Sequence, residues 1–165
     1  MTSKNDIPEG FTLQLALVDA VPVVEFCASM IVVAVRFQSP LFVAGAVCSA
    51  LAGCGKVAWK VLLAAQKRDV AWLTRQFRYL MSVGMVLMLV AVAVAAATGA
   101  LDVGAVAARV VRPPAVVFFA LWLVGMAAMG VMGARLDKRV ARNNWVEQIV
   151  NAVAQGLFLV GVLIC

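Results

Sequence analysis

Five apolar runs, each about 20 residues or longer, divide this chain into greasy stretches joined by short polar or basic ones. They lie near residues 11–37, 41–64, 80–100, 115–134 and 145–165. A helix of that length crosses a hydrocarbon core of ~30 Å. Lipid offers no partner to a backbone N–H or C=O, so such runs must bond within themselves as helices. Composition agrees: 65% of residues are apolar, 13% are charged and the mean hydropathy is +1.02. Soluble domains sit nearer about 45–50% apolar and 25% charged. The expected fold is all-α, a polytopic integral membrane protein built as a five-helix transmembrane bundle. Residues 1–10 read as a polar cytoplasmic leader and residues 11–165 as a single transmembrane domain. The leader, MTSKNDIPEG, lacks the order of a secretory signal.

Basic residues set the expected orientation. With five spans, Lys4, Lys67, Arg68, Arg75, Arg78, Arg135, Lys138, Arg139 and Arg142 fall on one side. Arg36, Arg109 and Arg112 fall on the other. Positive loops stay in the cytoplasm, so the N-terminus is expected inside and Cys165 on the opposite side. Trp59, Trp72 and Trp145 cluster at the same inner level, where indole rings favour the interface. The stretch 66–79 repeats Val70, Leu73 and Phe77, with Leu80 following. That spacing predicts an amphipathic helix in the interface, leading into the third span.

The first span is the anomaly. It carries Asp19, Pro22 and Glu25 inside the hydrocarbon. A carboxylate at bilayer depth costs roughly 2.5–3.5 kcal/mol on insertion scales, so each needs a partner, water or a proton. Other spans offer partners. In the fifth, Asn144, Gln148, Asn151 and Gln155 recur at i, i+4, i+7 and i+11, within roughly 60° of arc. In the second, Gly45, Ser49 and Gly53 form a ridge of small residues that lets a neighbouring backbone approach. Lys56 and Lys60 continue that face. At 1.5 Å per residue, Asp19, Lys56, Asn151 and Gln155 share one depth. Lys60 lies a turn nearer the interface, where its stem would let the ammonium snorkel. Lys56 is therefore expected to reach Asp19 or Glu25. The layer predicts a polar pocket among the first, second and fifth spans, opening to the cytoplasm. Its ligand-binding candidates are Asp19, Glu25, Lys56, Lys60, Asn144, Gln148, Asn151 and Gln155. Glu25, near the midplane, is the candidate for proton coupling.

Other chemistries find little support. The chain has no histidine, which removes imidazole-based triads and His-ligated metals. Cys27, Cys48, Cys54 and Cys165 form no C-x-x-C pair and read as packing residues. Met81, Met85 and Met88 line one face of the third span; Met126, Met129 and Met132 recur in the fourth. Thioethers bind Cu(I), but without histidine these read as packing. No metal set, catalytic set or cofactor motif is visible, and no soluble basic module suits nucleic acid. Gly125, Gly130 and Gly133 mark the fourth span for close packing, within the chain or across an oligomer.

Three functions fit. The first is a small transporter or carrier subunit for a polar, anionic or zwitterionic solute, with a small polar or amphiphilic ligand in the pocket. The second is a membrane-embedded enzyme that processes a lipid or cofactor. The third is a structural or regulatory subunit that docks a membrane partner. The bilayer is the partner common to all three.

Overall fold

The computed structural model describes residues 12–66, 70–136 and 140–165. The leader at 1–10 and four of the counted loop bases, Lys67, Arg68, Lys138 and Arg139, lie outside the described residues. The described chain is all helical: α1 Leu13–Phe37, α2 Pro40–Gln66, α3 Ala71–Ala97, α4 Val103–Val110, α5 Ala115–Arg135 and α6 Ala141–Ile164. Five of these, all but α4, are long and apolar enough to span a bilayer.

Local chemistry explains the boundaries. Thr12 caps α1, its side chain accepting from the Leu15 N–H. Gln38 ends that helix in the left-handed region at φ 51°, which frees the chain to turn at once. Ser39 Oγ then accepts from the Phe42 N–H at 3.3 Å. Pro40 occupies the first position of α2, where a missing N–H costs nothing. Pro22 lies within α1, yet the helix runs through it unbroken.

Two segments depart from the sequence expectation. Among the described residues no separate interfacial helix precedes the third span; Ala71–Ala97 is one continuous helix, so its basic first turns extend the span itself. With no Pro or Gly between Val70 and Leu80, nothing interrupts the helix there. Conversely, the segment at 101–114 is not a plain loop. Asp102 caps α4, Oδ1 accepting from Ala105 N–H at 2.9 Å, and Arg109 sits in the last turn. None of the residues of α4 is buried. Its exposed Val103 and Val106 suit a short helix lying in the interface.

The spanning helices pack in the order α3, α2, α1, α6, α5. The end helices α3 and α5 make at most marginal contact with each other. The bundle is thus an arc with α1 at its centre and an unclosed edge. Small residues bring the neighbours together. A Cβ on Gly45 of α2 would lie 2.7 Å from the Gly84 carbonyl of α3. One on Gly53 would lie 2.9 Å from Val23 of α1. On the other limb, a Cβ on Gly125 of α5 would meet Ala154 of α6 at 2.8 Å, while Gly130 and Gly133 meet nothing within 4 Å. Arg36 of α1 closes the far end of α6, donating to the Val162 carbonyl at 2.8 Å. That cation satisfies a terminal carbonyl and opposes the negative end of the helix dipole.

Candidate functional site

Asp19 and Lys60 form a buried ion pair, with Oδ1 and Nζ 2.8 Å apart and both side chains almost fully enclosed. Lys56, expected to reach Asp19 or Glu25, is not the lysine in this pair. Lys56 and Lys60 are one turn apart on the same face, and the crossing of α1 and α2 seats the nearer-interface lysine on Asp19. Lys60 does not snorkel. Lys56 instead holds its ammonium 5.1 Å from the centre of the Phe77 ring on α3. Among the described residues it has no carboxylate partner. Lys56 is half-buried, and a ring face offers such a cation about 0.5–2 kcal/mol.

Toward the end of the bundle where α1 begins, apolar side chains fill the space below the ion pair. Leu15 and Leu63 are buried there, flanked by Trp59 and Trp145. Toward the opposite end, Met30, Phe42, Ala46, Met88 and Ala91 form a second cluster. From the ion pair up to that second cluster, and walled at that end by its Met30, Phe42 and Met88, runs a cavity of about 530 Å³, within the usual range of small-molecule sites. Asp19, Lys56, Asn151 and Gln155 line it. Glu25, Lys60, Asn144 and Gln148 do not.

Each of these residues has its own setting. Asp19 keeps Oδ2 buried and without a hydrogen-bond partner. Gln155 donates to the Met126 sulfur at 3.7 Å, tying α6 to α5. Gln148 is buried with its side-chain oxygen unpartnered. Asn144 is buried and donates to the Val140 carbonyl at 3.3 Å. Glu25 turns toward α6, where its Oε1 stands 3.1 Å from the place a Cβ on Gly156 would occupy. Its Oε2 is buried and unpartnered. The absent side chain at Gly156 makes the notch that holds this carboxyl.

Most of the cavity wall is not polar. α3 contributes Phe77, Met81, Met85 and Met88, and α5 contributes Trp122 and Met126. Sequence reasoning assigned those two helices no part in the pocket, because it looked for polar stripes. The methionine faces were visible, but only the tertiary arrangement turns them to a common space. Trp122 stacks at 4.7 Å on Phe158, and its indole N–H is buried without a partner. Among the described residues no group of three or more acidic or cysteine side chains could hold a metal ion. The four cysteines are unpaired.

No family model, curated protein or solved structure matches this chain. The functional reading therefore rests on its own residues.

Proposed function

We propose that this protein is a small membrane carrier or transport subunit that binds an anionic or zwitterionic solute in the cavity, near Lys56. One observation carries the reading. Asp19 neutralises Lys60, which leaves Lys56 as a cavity-lining cation without a carboxylate among the described residues. An anionic group on the solute supplies the missing counter-charge. Asp19 lines the same cavity, with its Oδ2 enclosed and without a hydrogen-bond partner. Asn151 and Gln155 add oriented amides. The excess of bases supports a cytoplasmic N-terminal side, which puts Lys56 nearer the cytoplasmic leaflet. Glu25 lies off the cavity on the α1–α6 contact, so its part is proton coupling through helix separation and not ligand contact.

Uptake of radiolabelled hexyl sulfate, a monoanion throughout this range, into proteoliposomes at one pH unit either side of neutral tests this. Wild type is expected to show saturable, pH-dependent uptake. Lys56→Met should lower uptake at both pH values. Glu25→Gln should keep binding and lose the pH dependence. Uptake no faster than in empty liposomes, across a panel of such anions, would sink the carrier reading. A docking subunit is the second reading, favoured by the unclosed edge between α3 and α5 and by the bare Gly130 and Gly133. A homo-oligomer or a partner subunit would cover those faces.

A further inference from the structure

We infer that the solute carries one long apolar chain, which lies in the methionine-lined part of the cavity and reaches it sideways from the bilayer, between α3 and α5. This rests on the anion-binding reading above and extends it to a ligand class, a single-chain anionic amphiphile.

Shape gives the first argument. Along α1 the cavity runs from Asp19 to Val33, a rise of roughly 21 Å. That is about two-thirds of a hydrocarbon core of ~30 Å, far longer than a compact polar solute needs. Polarity gives the second. Charged wall groups sit only at the end near Asp19 and Lys56; beyond Ser49 and Gln155 the wall is Met30, Val33, Phe42, Val92 and Phe158. An anionic head matches the first end and a hydrocarbon tail the second.

The third argument is access. Leu15, Leu63, Trp59 and Trp145 pack below the ion pair and do not line the cavity, while Met30 and Phe42 wall its far end. The exposed part of its rim is lateral. Met85, Leu89 and Val92 of α3 and Met126 of α5 line the cavity while being themselves exposed. They flank the edge where α3 and α5 fail to close. In a bilayer that edge faces acyl chains, so a lipid-like molecule slides in without crossing water. Unbranched, polarisable thioethers on both banks adapt to a flexible tail.

The test uses the whole protein in lipid nanodiscs and hexadecyl phosphate brominated in mid-chain. Trp59, Trp72 and Trp145 are changed to Phe, so that Trp122 in the cavity wall is the reporter. Saturable quenching is expected at mole fractions too dilute for bulk lipid bromines to quench. Unbrominated hexadecyl phosphate should relieve it, and Lys56→Met should weaken it about ten-fold or more. If the triple variant fails to fold, the wild type is photolabelled with hexadecyl phosphate bearing a terminal diazirine. Adducts are then expected on Met30, Val33, Phe42 or Val92. Lys56-dependent binding of methyl phosphate, with neither quenching nor those adducts, would keep the anion site and overturn the tail groove. A partner helix would then be the occupant of the gap. Quenching indifferent to Lys56→Met would overturn the anion reading itself, and this inference with it.

Discussion

Lys60 and Lys56 stand one turn apart on one face of α2, yet Lys60 is buried on Asp19 while Lys56 lines the cavity. Counting residues gives depth to within a turn, and a turn is what separates Lys60 from Lys56. Both lie on one helix face, so periodicity could not choose between them. The crossing of α1 over α2, set by Gly53 against Val23, made the choice. A stability prediction belongs at this scale. Lys60→Met leaves the Asp19 carboxylate enclosed and alone, a loss of about 3–5 kcal/mol for a buried pair broken on one side. Lys60→Met combined with Asp19→Leu removes both charges and should cost much less. Chemical unfolding in mild detergent, followed by tryptophan fluorescence, compares the two. A double variant as unstable as the single one would show that the pair itself holds α1 to α2.

At the scale of helices, the small residues were legible and their partners were not. The ridge Gly45–Ser49–Gly53 announces a close approach, but not that Gly45 serves α3 while Gly53 serves α1. Nor could the repeat in the fourth span show that, among the described residues, an added Cβ meets a neighbour at Gly125 and none at Gly130 or Gly133. The structure separates them by function, and substitution should follow. Gly45→Val drives a side chain into the Gly84 carbonyl and the Met88 backbone, and overpacking of this kind costs about 1–3 kcal/mol. Gly130→Ala meets open space and adds helix propensity, so it should be neutral or stabilising by up to about 1 kcal/mol. Equal losses for both, in thermal unfolding of the monomer, would mean that Gly130 also packs. The short helix α4 was missed because eight residues carry too little periodicity, although Asp102 and Arg109 at its ends were there to read.

For the whole molecule, the span count followed from composition, because lipid enforces helices, and the spacing brought Asp19, Lys56, Asn151 and Gln155 to the wall of one cavity. The arc did not follow, since helix order in space depends on packing that no single run encodes. That order turns two apolar helices into cavity walls and leaves one side open. It also concentrates the functional question on one ammonium. Orientation can be checked separately. With Cys27, Cys48, Cys54 and Cys165 changed to Ala, Val111→Cys should react with a membrane-impermeant maleimide added outside intact cells. Labelling only after lysis would invert the topology.

The central claim is that Lys56 is the uncompensated cation of a ligand cavity. It is tested most directly by titrating nanodisc-embedded protein with two probes of the same tail and opposite charge, hexyl phosphate and hexyltrimethylammonium. The account predicts that the phosphate binds at least about ten-fold tighter, a difference of about 1.4 kcal/mol, and that Lys56→Met erases the preference. Equal binding of both probes, or a preference that survives Lys56→Met, would contradict it.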